Sequence, residues 1–251
     1  VIPTLKYEDF LKYREEYYHP SNSYIYIYGD MDVNERLEYL DREYLSDFDV
    51  SDVDIHANIE RQAAFDKPVY ETKPYAITED ESLEDNTYLS YNAVIGTSVD
   101  AKLYLAFQIL DYALVMTPGA PVKQALLDAG ISTDVYSSYE TSLYQPVYSI
   151  VAKNSNSKEQ DRFVSVINDT LEKLVKDGIN ERTIEAGINY YEFKYREADY
   201  GPYPKGLMYY LTMMDSWLYD ETKPFIHIEA GDTFDELKKN ARNGYFEKLI
   251  K

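Results

Sequence analysis

The chain contains no cysteine. That removes disulfides, thiolate metal sites and a cysteine nucleophile, and it fits a reducing, cytoplasmic setting. Histidine is nearly as scarce: His19, His56 and His227 are the three, and no two lie within five residues of each other. The H-x-x-E-H arrangement, which places two imidazoles and a glutamate base about a zinc ion, is therefore absent. Basic residues are few, with 25 Lys and Arg against 45 Asp and Glu and a formal net charge of −20. No basic face can offset phosphate repulsion, so nucleic acid is excluded as a partner; long-range steering instead favours cationic partners such as basic peptides. Long apolar runs are also missing. The longest block, Leu103 to Met116, is interrupted by Gln108 and Asp111 and falls short of the ~18 residues a membrane span needs. Neither G-x-G-x-x-G nor G-x-x-x-x-G-K occurs, so no phosphate loop is expected. The serine signatures G-x-S-x-G and S-x-x-K are absent as well. The opening residues, VIPTLKYEDF, show no basic segment leading into an apolar one, so no signal peptide is expected.

What is present is a chain of 251 residues, 45% apolar, with 28 tyrosines. The length suits one large domain or two smaller ones, and the apolar share is enough for a core. Tyrosine buries a ring while keeping a polar tip, so these residues read as the edges of a core, or alternatively as a peptide-binding wall. Tyr7, Phe10, Leu11, Arg14 and Tyr18 share a helix face that stops at His19-Pro20, with Lys6 as a weak cap. Ser23 to Tyr28 alternates tyrosine and isoleucine, a strand pattern. Asp32, with Glu35 three residues on, starts a helix running to about Tyr44. One strand and two helices cannot close a core alone, so residues 1–48 must pack on something else.

Residues 49–68 read as a polar linker. Val69 to Thr78 is expected to be an edge strand, because Pro74 removes a ladder donor. Thr87 to Gly96 alternates as a strand. Asp100 caps a helix over 101–116, apolar nearly all round, and Pro121 to Ala129 makes a second, short helix. Asp134 to Tyr139 and Pro146 to Lys153 read as antiparallel neighbours. Ser157 and Gln160 suggest a capping box for a helix to Lys176, Asn180 caps the next helix, and Thr233 caps a last one reaching Leu249. Strands gathered early and helices late give an α+β class: an antiparallel sheet covered by helices on one face. The pattern culminates in Tyr190 to Asp220, where two helical periodicities meet across Gly201-Pro202-Tyr203-Pro204, a break no helix can pass. On the second helix, Leu207, Leu211, Met214 and Leu218 form one apolar stripe, and Tyr210, Met213 and Trp217 form another. Two stripes predict a helix buried between layers.

Few residues suggest chemistry. His19 sits in a helix-to-extended turn and His227 between apolar neighbours, so both read as structural. His56 and Glu60, spaced i and i+4, could share a metal-facing helix side, though acids are so frequent that the pairing carries little. Arg196 and Glu197 could tie the two central helices together or face a cavity. No catalytic, cofactor-binding or metal-binding residue is assigned.

Three segments resemble the pitrilysin/insulinase zinc-peptidase superfamily in its presequence-protease branch, and they occur in the family's order. They are LKYEDFLKYREEYYHPSNSYIYIYGDMD (Leu5 to Asp32), PGAPVKQALLDAGISTDVYSSYETSLYQPVYSIVAKN (Pro118 to Asn154) and READYGPYPKGLMYYLTMMDSWLYD (Arg196 to Asp220). The resemblance implies a metallopeptidase-like fold in which residues 1–48 form the end of a preceding zinc-bearing domain and residues 69–251 a second domain without metal. It implies a parent zinc metalloendopeptidase that closes around unstructured peptides, zinc held elsewhere in that parent, and the parent's remaining domains as partners. A non-enzymatic interaction subunit of the same superfamily is the alternative.

Overall fold

The structure, a computed structural model, describes residues 2–49 and 59–251. It divides into two compact units, Val1–Glu60 and Arg61–Lys251.

In the first unit, helix α1 spans Tyr7–Tyr17 and its cap, Lys6, makes no side-chain hydrogen bond. His19 stops the segment by capping a 3-10 turn, Pro20–Asn22, its Nδ1 accepting the Ser21 N–H at 3.1 Å. Helix α2, Val33–Leu40, starts at Asp32, whose carboxylate accepts from the amides of Asn34 and Glu35 at 2.9 and 3.1 Å. It runs on as a π turn over Asp41–Leu45, close to the expected end. Ser23 to Tyr28 does not form the expected strand. Its alternation is there, but no second strand lies among the described residues of this unit to complete a ladder, and a strand without a partner leaves its polar backbone to solvent. None of the described residues of this unit is buried.

The second unit carries the core. Strands β1 (Thr87–Val94), β2 (Asp134–Glu140) and β3 (Val147–Ser155) form an antiparallel sheet in the order β1-β3-β2. Register alternates as a pleated sheet requires. Leu89, Ala152 and Val135 line up across the three strands, and Ala93, Tyr148 and Tyr139 form another inward row. The opposite face presents Ser90, Asn92, Ser149 and Ser138, where Asn92 Oδ1 accepts from Ser90 and Ser149 at 2.8 and 2.7 Å. Val69 to Thr78 is not the expected edge strand; Pro74 can donate no ladder bond there, and Tyr75 is instead tied by its hydroxyl to Asn86 Oδ1 at 2.7 Å.

Helix α3 (Ala101–Asp111) starts where Asp100 accepts the Leu103 N–H at 2.9 Å, and it passes into a π turn over Tyr112–Met116. Helix α4 (Pro121–Asp128) and helix α5 (Gln160–Asp177) join α3 on the inner face of the sheet. Helix α6 (Glu181–Glu197), capped by Asn180, and helix α8 (Gly231–Ala241) pack on α3 as a further layer. Gly187 lets α6 approach closely: a Cβ there would lie 3.1 Å from the Tyr112 ring and 3.3 Å from Ile109. Ile109, Leu110, Ile150, Ile167, Ile188 and Leu237 are almost completely buried between these layers. The stretch 101–128 is long and apolar enough to cross a membrane by composition. It is broken between α3 and α4, and its apolar side chains make the core.

Two start signals differ from expectation. Asn156, not Ser157, supplies the cap before α5, accepting the Lys158 N–H into a 3-10 turn over Ser157–Glu159. The last helix begins at Gly231 rather than at Thr233, and Gly244 in the left-handed region splits it, leaving α9 as Tyr245–Leu249.

The break between α6 and helix α7 (Lys205–Trp217) stands where the prolines require it. Ala198 turns into the left-handed region at φ 46° and Gly201 follows at φ 59°. The expectation that α7 is buried on two sides does not hold. Gly206, Met213 and Ser216 are buried, but Leu207, Leu211 and Leu218 are 46%, 49% and 45% exposed. The stripe carrying Met213 packs inward; the leucine stripe has no apolar layer against it among the described residues.

Candidate functional site

Helix α3 is the spine of a mixed polar cluster within the core of the second unit. Tyr104, Gln108 and Asp111 recur at i, i+4 and i+7 and so share one face. They face Tyr139 on β2, Thr141 just after it and Tyr191 on α6, and together these six line a cavity of about 270 Å³. Asp111 is 7% exposed and accepts the Tyr148 hydroxyl at 3.0 Å. Burial holds its carboxyl above the usual range. Tyr148 is pushed up in turn, first by burial and then by the Asp111 charge. Beside the cavity, Asp215 accepts the hydroxyls of Tyr104 and Thr141 at 2.8 and 3.2 Å, and burial raises it too. No lysine, arginine or histidine among the described residues forms an ion pair with either carboxylate. The Tyr139 hydroxyl is buried without a hydrogen-bond partner.

His227 stacks on Tyr104 with ring centroids 3.9 Å apart, and its Nε2 lies 2.8 Å from the Ser98 carbonyl. A carbonyl only accepts, so the ring carries its proton on Nε2. Burial lowers the imidazole to about 4 against the pull of that hydrogen bond, which leaves it neutral near pH 7. His227 is thus a satisfied core histidine. His19 caps its turn and sits edge-on to Phe48 at 5.5 Å. His56 lies outside the described residues, so its pairing with Glu60 does too. Arg196 does not reach across to α7. It pairs with Glu192 one turn back at 2.7 Å, and Glu192 also takes Lys238 of α8 at 2.6 Å, so that network ties α6 to α8.

Zinc needs three or four imidazoles or carboxylates converging at about 2 Å. Among the described residues no three histidine or acidic side chains are so grouped, and His227 is already committed to Ser98 and Tyr104. These residues do not fit a zinc ion.

The sequence reading did not find the cavity. Its signal was visible: Gln108 and Asp111 are the polar interruptions of an otherwise apolar block, and both line it.

Comparison with known proteins accounts for the sheet and the helix layers together. The family described as "Peptidase M16 inactive domain" matches residues 4–191. The chain belongs to this family. That membership agrees with the pitrilysin/insulinase resemblance of its three segments. Protein HypA of Clostridium perfringens is 42% identical over 249 residues, covering 99% of this chain and 25% of that protein. Presequence protease 1, chloroplastic/mitochondrial, of Arabidopsis thaliana is 33% identical over 239 residues, covering 94% of this chain and 22% of that protein. The chain therefore spans about a quarter of the length of these relatives. The crystal structure of a protease from Helicobacter pylori superposes with a TM-score of 0.53 at 14% identity, over 99% of this chain and 53% of that one, which shows the fold. As a member of the M16 inactive-domain family, the chain is an α+β inactive domain of a peptidase-family protein.

Proposed function

We propose that this chain is the supporting, metal-free part of a zinc metalloendopeptidase that degrades peptides. In this reading residues 1–48 end the preceding, zinc-bearing domain, residues 49–68 link the two, and residues 69–251 form the second domain, part of the wall of a chamber that holds unstructured peptides. Zinc belongs to the parent, not to this piece. The observation that carries the reading is the absence of any buried side chain among the described residues of the first unit, set beside a second unit with a complete core. A segment of two amphipathic helices that covers no apolar surface of its own is a piece cut from a larger core. Relatives about four times as long, presequence protease 1 among them, leave room for such a core and support the reading.

The test is incubation of the chain with zinc and unstructured peptides. No cleavage is expected, whereas the parent protein cleaves them and loses activity to a chelator. Zinc-dependent cleavage by the 251-residue chain itself would overturn the reading. Reading the encoded sequence ahead of Val1 separates the enzyme parent from a non-enzymatic subunit, since only the former carries H-x-x-E-H there.

A further inference from the structure

We propose that the cavity between α3, β2 and α6 is a binding pocket for a guanidinium or ammonium group on a short aliphatic stem. The hydrogen-bond capacity of the cavity lining points to such a ligand, independently of the chamber reading. Tyr104 and Thr141 each spend their hydroxyl proton on Asp215. Tyr148 spends its proton on Asp111, and Tyr191 directs its own at the weak acceptor Met116 Sδ, 3.6 Å away. What these groups keep free is acceptor lone pairs. Asp111, which the Ser137 hydroxyl also bonds, adds a carboxylate with no cation beside it, Gln108 a side-chain carbonyl next to its NH2, and Tyr139 a buried hydroxyl with nothing to bond.

An apolar ligand would leave all of these unsatisfied, and an anion would meet Asp111 directly, with Asp215 close behind. A ligand rich in N–H donors and carrying positive charge meets the Asp111 carboxylate, the Gln108 carbonyl and the Tyr139 oxygen at once. Charge-assisted hydrogen bonds to a desolvated carboxylate are among the strongest available. The cavity's size, about 270 Å³, admits one side-chain-sized group and no more. The aromatic rings of Tyr104, Tyr139 and Tyr191 provide surface for the stem.

The experiment is calorimetric titration of the chain with Nα-acetyl-arginine amide and with Nα-acetyl-citrulline amide, its neutral isostere. Saturable binding of the arginine compound, at least tenfold tighter than citrulline, is expected. Asp111→Asn keeps the acceptor used by Tyr148 and should weaken arginine binding tenfold or more. Tyr139→Phe removes a hydroxyl that supports nothing in the fold and should weaken it several-fold. Asp161→Asn, on the exposed side of α5, should leave binding unchanged. Agmatine, the same stem and head without the amide backbone, separates the sources: if it binds as tightly, the pocket takes a diffusible cation, and if only the capped residue binds, it takes a basic residue of a peptide. Equal binding of arginine and citrulline, no saturable binding of the arginine compound, or an Asp111→Asn protein that binds as the parent does would each overturn the proposal.

Discussion

The two units use similar ingredients to opposite effect. Both contain amphipathic helices rich in tyrosine and leucine. In the first, Phe10, Leu37 and Tyr44 are 61%, 51% and 57% exposed; in the second, Phe163, Leu237 and Phe246 are at most 2% exposed. Amphipathicity is a property of a helix, but burial is a property of what lies opposite it. The first unit has good helix starts, such as the Asp32 cap, and no sheet among its described residues to receive its apolar sides. The same lesson recurs inside the second unit on α7, where the Met213 side meets a layer and the leucine stripe does not.

The comparison is broken most directly by matched substitutions. Phe163→Ala should cost about 3–5 kcal/mol of unfolding free energy, as for a large aromatic removed from a packed core; Phe10→Ala should cost less than about 0.5 kcal/mol. Urea unfolding followed by circular dichroism measures both, and equal costs would mean the first unit has a core of its own.

His227 tests the same body through pH. Its folded value, about 4, lies below the ordinary 6.5, so the unfolded chain binds the proton more readily between those values. Its contribution is present in full above pH 6.5 and lost as pH falls toward 4, up to about 3 kcal/mol. His227→Gln should lose less stability than the parent over that window; parallel profiles would refute neutral burial.

On α7, Met213→Ala should cost about 2–3 kcal/mol and Leu211→Ala less than about 1, read from denaturant midpoints. Asp111→Asn should have a small effect, and a stabilising one. A buried carboxyl held above its ordinary 3.8 takes up its proton more readily when folded, so stability falls as pH rises from that value through the folded one. The Asn variant should escape that fall and melt higher than the parent at pH 7, and a lower melting temperature would show that the charge is compensated.

Much of the body was legible because its signals are local. Asp100 and Asn180 cap the helices they precede, the hairpin of β2 and β3 alternates cleanly, and Gly201 to Pro204 breaks the chain where two prolines demand it. The failures share a cause: each depended on a partner that sequence does not display. Ser23 to Tyr28 has the strand pattern but no second strand among the described residues of its unit. Leu207, Leu211 and Leu218 have the stripe but no facing layer among the described residues. Ser157 lost the cap to Asn156 because a 3-10 turn precedes α5, a shift of one residue that spacing alone does not resolve. The cavity was half legible, through Gln108 and Asp111 on one face of α3. Tyr139, Thr141 and Tyr191 come from 28 to 83 positions further along, and only the fold brings them there.

The strand order β1-β3-β2 bears on how the body assembles. β2 and β3 are joined by the six residues 141–146 and can pair early through a short loop, whereas β1 ends more than fifty residues before β3 begins and must close α3, α4 and β2 into the intervening loop to reach it. Loop closure grows costlier with that separation, so β1 should be the late arrival, docking only after the hairpin and the α3 layer give it a surface. A substitution such as Leu89→Ala would then act mainly by hastening unfolding rather than by slowing folding.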